Sequence, residues 1–197
     1  MKVALFLTYG YSLETWEKAG ILDRELAIYK AHYDNGIRTV VISYGGTNDE
    51  VISERYEFLE IVCNRWGLPT KVFACLVPYL FSSVFRDINV IKTNQMYGAH
   101  VALNSARRYK LPLYIRQGYS YFESQVGKYG ENDHRSRKAK YYECKHLDLA
   151  DVVVFSTREM ADCAAKRCNL DPTSIRVLPN YIVEDTWFPP WSGLVDA

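Results

Sequence analysis

The chain has 197 residues, the length of one domain, and a formal net charge of +1, which excludes a global field for gathering nucleic acid. Nearly half of its residues are hydrophobic and about a quarter charged, a balance that excludes a disordered chain. Five cysteines, odd in number and without a CxxC pair, favour free buried thiols in a reducing, cytoplasmic setting over a disulfide framework or a zinc site.

The opening MKVALFLTYG carries an apolar run too short for a signal peptide or a membrane span, and reads as a first buried strand over 2–7. A loop of Thr8, Tyr9, Gly10, Tyr11 and Ser12 follows it. Leu22, Leu26, Tyr29 and Tyr33 then share one helical face, and Asp34-Asn35-Gly36 ends that helix with a left-handed cap. Residues 39–43 form a second strand, so the chain opens as a βαβ unit of a Rossmann-like sheet. No GxGxxG follows the first strand, and the dinucleotide fingerprint is absent. Residues 58–63 suit a short third strand, and the apolar segment 72–85 a packed or partner-facing helix kinked or divided by Pro78.

Residues 89–93 form the next strand, which runs into Asn94 and Gln95. A helix over 101–109 leads to a strand over 111–116 that ends in Gln117, Gly118 and Tyr119. The stretch 119–133 is rich in glycine and polar residues without periodicity and reads as a mobile loop over the strand ends. The basic segment 134–146 reads as a solvated helix face, with an anionic acceptor or an anionic membrane surface as the alternative. Val152–Phe155 is a strand buried on both faces. It is followed by Ser156 or Thr157 as a helix cap, a helix carrying Met160, Ala164 and Cys168, and a last strand over 175–178 that ends at Pro179-Asn180. The expected fold is α/β, a Rossmann-like, doubly wound and mainly parallel sheet of about six or seven strands.

The wording LADVVVFSTREMAD…IRVLPNYIVEDTWFP resembles the end of the amino-terminal domain of family 4 retaining glycosyltransferases of the GT-B fold. Those enzymes read AD, an apolar run and Ser, then PNG with an Asp, then F-x-P before a second domain. Here Tyr181 stands at the family's Gly, and Glu184 or Asp185 near its Asp. The Gly20 to Gly36 spacing matches the family's glycine loop and helix end, with Ala19 in place of the first glycine. The strands at 89–93 and 111–116 match two further family motifs, but Lys92, Asn94 and Gln117 stand where the family has histidines. An amide can hydrogen-bond a sugar hydroxyl but cannot titrate, so Gln117 is not expected to be a general acid or base. Glu143 fits the family's Glu in the helix before the AD strand.

The resemblance implies an acceptor-binding domain over 1–188, with 189–197 the start of a linker to a carboxyl-terminal, donor-binding domain supplied in cis or in trans. It implies sugar transfer from a nucleotide-sugar donor to a glycan or lipid-linked acceptor, with no cofactor, metal or nucleic acid, in the cytoplasm and with peripheral membrane contact as an alternative. Because parallel strands bring their carboxyl ends to one edge, the site is expected there. Gly20 would approach the donor phosphate. Tyr9, Gly10, Tyr11, Ser12, Asn94, Gln117, Gly118, Tyr119, Ser156 and Asn180 would bind acceptor or sugar, with no catalytic residue assigned in this domain. A non-catalytic Rossmann-like binding module is the alternative reading, and no redox CxxC supports an oxidoreductase.

Overall fold

In the computed structural model, residues 1–180 are described; Tyr181, Glu184, Asp185 and the 189–197 linker lie outside them. The chain begins with β1 (Lys2–Phe6), α1 (Leu13–Lys18), α2 (Leu22–Asp34), β2 (Arg38–Ile42), α3 (Thr47–Ser53) and β3 (Leu59–Val62). Next come α4 (Thr70–Leu80), α5 (Ser82–Arg86), β4 (Val90–Thr93), α6 (Ala99–Tyr109) and β5 (Leu113–Gln117). The last elements are α7 (Tyr121–Tyr129), α8 (His134–Asp148), β6 (Val152–Phe155), α9 (Arg158–Cys168) and β7 (Ile175–Val177).

The seven strands form one sheet in the order β3-β2-β1-β4-β5-β6-β7, and every neighbouring pair is parallel. The order reverses direction between β1 and β4. Right-handed crossovers therefore send the helices of the β1–β3 half to one face and those of the β4–β7 half to the other. Two cores record this division. Leu5, Leu7 and Val41 pack against Leu13, Trp16, Leu22 and Leu26 of α1 and α2. Ala4, Phe6, Ile91, Ile115 and Phe155 face the opposite way, against Phe73, Val101, Ala102 and Ala161 of α4, α6 and α9. Strands buried on both sides need continuous apolar runs, and VALF, VVI and VVVF supply them.

Three local readings are corrected. Residues 119–133 are not a loop throughout: Ser120 accepts from the Glu123 N–H as an N-cap and α7 follows, its glycine-containing sequence being held by packing against α8. A short helix that the sequence reading did not include, α1, precedes the expected one, and Gly20 lies in the turn just before α2, where its φ of +66° suits glycine. Cys144 and Cys168 are joined in a disulfide that ties α8 to α9, and only Cys63, Cys75 and Cys163 are free thiols. Counting cysteines could not show that two of them, 24 residues apart, meet where these two helices pack. The apolar 72–85 segment divides at Phe81, between α4 and α5, and Pro78 sits inside α4. Among the described residues no helix is long and apolar enough to cross a membrane.

Candidate functional site

The loops at the carboxyl ends of β1 and β2 are tied together by Asp49, a fully buried side chain of α3. Its carboxylate accepts from the backbone N–H groups of Leu13 and Glu14, each at 3.0 Å, and from the Ser43 hydroxyl. Both amides belong to the first turn of α1, whose N–H groups have no intrahelical acceptor. Ser12 caps the same turn by accepting from the Thr15 N–H at 3.0 Å, so its side chain is committed to the helix end.

Above these loops stands an aromatic wall that the sequence reading did not identify beyond Tyr9. The Tyr9 ring meets Tyr44, Tyr97 and His100 with centroids 5.2–5.6 Å apart, and Tyr97 stacks on Tyr121 at 5.3 Å. Tyr142 completes the wall from α8. Its hydroxyl accepts from the Gly98 and His100 N–H groups, each at 3.3 Å, and lies 2.9 Å from Nδ1 of His100. A hydroxyl that already accepts twice donates to Nδ1, which leaves the proton of a neutral His100 on Nε2. His146, one helical turn beyond Tyr142, places Nδ1 2.6 Å from the Tyr142 carbonyl and donates there. Burial, then the neighbouring His146, lowers the pKa of His100, and burial first lowers that of His146, so both imidazoles favour the neutral form. Burial likewise pushes the Tyr142 phenol up to about 12. The Tyr142–His146 spacing and the place of His100 at the start of α6 were visible signals, but the basic composition of 134–146 drew the reading to its solvated face.

Gln117 lies at the end of β5 with no exposed surface. Its Nε2 donates to Glu143 Oε2 at 2.8 Å, while its Oε1 has no hydrogen-bond partner among the described residues. Glu143, also fully buried, further accepts from the Phe122 N–H at 3.0 Å, the Ser120 hydroxyl at 3.2 Å and the Arg167 guanidinium. These contacts tie β5, α7, α8 and α9 to one another behind the strand ends.

On the other face of the sheet, a cavity of about 660 Å³ runs between α2 and strands β1, β4 and β5. Four of the sequence-predicted residues, Asn94, Gly118, Tyr119 and Asn180, line its upper end together with Gln95 and Arg116. Arg116 donates to the Asn180 side chain at 2.6 Å, and the Gly118 N–H to Gln95 Oε1 at 2.9 Å. Tyr9, Gly10, Tyr11, Ser12, Gly20, Gln117 and Ser156 do not line this cavity. Ser156 donates to the Gly118 carbonyl at 3.1 Å, and Thr157, not Ser156, caps α9. The predicted residues thus scatter: Tyr9 joins the aromatic wall, Asn94, Gly118, Tyr119 and Asn180 the polar group around Arg116, while Ser12 caps α1, Gly20 lies in the α1–α2 turn and Gln117 is buried against Glu143. No cluster of three or more His, Cys, Asp or Glu side chains suited to a metal forms among the described residues.

No protein-family model and no curated protein matches the sequence. Solved structures do match. Anabaena Alr3699/HepE in complex with UDP-glucose is 15% identical and superposes with a TM-score of 0.65, covering 98% of this chain and 47% of that one. Sucrose-phosphate synthase from Thermosynechococcus elongatus, also 15% identical, gives 0.62 over 91% of this chain and 48% of that one. MurG from Acinetobacter baumannii, 12% identical, gives 0.56 over 93% and 47%. The chain spans about half the length of the solved structures it matches. Its seven-stranded parallel sheet with helices on both faces is the Rossmann-like α/β fold that these GT-B glycosyltransferases share.

Proposed function

We propose that residues 1–188 form the amino-terminal, acceptor-binding half of a retaining, nucleotide-sugar-dependent glycosyltransferase, completed by a donor-binding half in cis or in trans. The observation that carries this reading is that nearly the whole chain superposes on about half of a protein solved with UDP-glucose. The order of the sequence motifs, from the Gly20–Gly36 spacing through Ala150-Asp151 and Pro179-Asn180, supports it. Sugar transfer in a two-domain cleft needs donor and acceptor held together in near-attack geometry, and one half cannot supply that. The aromatic wall of Tyr9, Tyr97 and Tyr121 suits a sugar acceptor, because aromatic faces carry apolar contact and phenols carry hydrogen bonds. His100 and Tyr142 add polar groups beside that wall without supplying the titrating histidines of the resembled motifs.

Residues 1–197 alone are therefore expected to transfer no sugar and to bind UDP-glucose only weakly in titration calorimetry. Saturation-transfer NMR against a panel of mono- and oligosaccharides should find contacts that Tyr9→Ala and Tyr97→Ala remove. Micromolar UDP-glucose binding would put the donor site in this half and overturn the assignment. A chain that binds neither donor nor sugars would favour the non-catalytic module.

A further inference from the structure

Among the described residues, no helix covers the β4–β5 flank of the sheet beside α2. Helices α1, α2 and α3 pack over the β1–β3 half, and the helices that follow β3 lie on the opposite face. Side chains of β4 and β5 that alternate away from those later helices, namely Val90, Lys92, Tyr114 and Arg116, therefore look into the cavity beside α2. A parallel sheet is ordinarily covered on both faces, so a flank of this kind holding a cavity of about 660 Å³ is a place for a ligand.

The chemistry of the lining narrows the class. Among the described residues, three basic side chains, Arg24, Lys92 and Arg116, line the cavity with one carboxylate, Glu25. Arg24 lies 2.9 Å from Glu25, and neither Lys92 nor Arg116 forms an ion pair among the described residues. The hydrogen bond that Lys92 makes there is to the Tyr29 hydroxyl at 2.8 Å, with the ammonium 4.7 Å from the ring centroid of the same tyrosine. An ammonium so placed keeps donors to offer, and a phosphate or carboxylate supplies the counter-charge. Around these cations the walls are apolar: Val3, Ile28, Ile37, Val90, the Tyr114 ring and Leu178.

We propose that the trough between α2 and the cavity-facing side of β4 and β5 binds an anionic amphiphile, its acidic group held by Lys92 and Arg116 and its apolar body laid along Ile28, Val90 and Tyr114. The site reaches from the strand-end rim down to Val3 and Ile37, and it holds whether or not the chain takes part in sugar transfer.

The test is titration calorimetry of the full 197-residue chain with octyl phosphate below its micelle-forming concentration, beside octyl glucoside and inorganic phosphate. Octyl phosphate should bind at one site, and each of the other two roughly tenfold more weakly or less. Lys92→Met and Arg116→Met should each weaken octyl phosphate by roughly tenfold or more, the scale of one charge-assisted hydrogen bond. Thermal melts confirm that each variant is folded. A second readout needs no variant: octyl phosphate should protect Lys92 from acetylation, mapped by peptide mass, while leaving exposed lysines such as Lys18 and Lys140 reactive. Inorganic phosphate binding as tightly as octyl phosphate would remove the apolar half of the proposal, and octyl glucoside binding as tightly would remove the anionic half. Binding indifferent to both substitutions, no binding, or no protection of Lys92 would overturn the site.

Discussion

Gln117 and Glu143 meet in the interior, the amide donating to the carboxylate at 2.8 Å with neither side chain exposed. Arg167, nearly buried, pairs with the same carboxylate, so Glu143 is the shared acceptor of a strand, a helix cap and a helix end. Removing a carboxylate of this kind strands its donors. Glu143→Ala is expected to cost about 3–5 kcal/mol in urea unfolding, the loss typical when one partner of a buried pair is deleted. Gln117→Ala removes one donor and should cost about 1–3 kcal/mol. Equal, small losses for both would show that the Glu143 contacts do not couple α7, α8 and α9.

The disulfide predicts a chemical count and a stability loss. Alkylation of the unreduced, denatured chain should label three of the five cysteines, Cys63, Cys75 and Cys163. Reduction, or Cys144→Ser with Cys168→Ser, releases a loop of 24 residues and should cost about 3 kcal/mol by chain-entropy reasoning. Five labelled thiols would place Cys144 and Cys168 in the reduced state.

Lys92 gives stability a pH slope. Burial first, then the Arg116 charge, lowers its pKa to about 8, whereas an unfolded lysine titrates near ~10.4. Between those values the unfolded chain holds more protons than the folded one, so this group makes stability rise with pH from about 8 to 10. The gain is at most about 3 kcal/mol. Tyr29 acts oppositely above about pH 10, because burial raises its pKa and the unfolded tyrosine loses its proton first. Burial also pushes the Cys63 thiol up to about 12, so that group lowers stability above about pH 9. Urea midpoints measured from pH 7.5 to 9 should climb in the wild type and not in Lys92→Met. A slope unchanged by the substitution would assign the effect to another group.

Two glycines should respond differently to alanine. At Gly98, φ is +113° and an added Cβ would lie 3.0 Å from the backbone nitrogen of Tyr9, where α6 approaches the β1 loop. Gly20 also has a positive φ, but no atom lies within 4 Å of its added Cβ. Gly20→Ala should cost about 1 kcal/mol, the left-handed penalty alone, and Gly98→Ala more than that. In the completed enzyme proposed above, Gly20→Val should reduce turnover more than melting temperature; unchanged kinetics would make Gly20 a turn residue and nothing else.

The sheet was legible because buried parallel strands write themselves as apolar runs, and Val152–Phe155 names its own surroundings. The strand order was not written there; it comes from the pairing of the folded sheet. Short helices were harder: α1 and α3 have six and seven residues, too few for a periodic stripe, and the start of α1 depends on Asp49, a residue 36 positions from Leu13. The rim was legible as an edge. Which side chains look outward was not, since Gln117 and Arg116 are neighbours in sequence on opposite faces of one strand, one buried against Glu143 and the other lining the cavity. The wall around Tyr9 draws on residues from Tyr44 to Tyr142, and no local pattern announces such a meeting.

Asp49 fastens the start of α1 to the end of β2, and Asp49, Leu13 and Ser43 have no exposure to exchange for water. The loops that follow β1 and β2 are consequently one mechanical body. A ligand that shifts Tyr9 or Tyr11 must carry Ser43 and Tyr44 with it, so adaptation at this edge proceeds by tilting the whole corner rather than by reshaping a single loop.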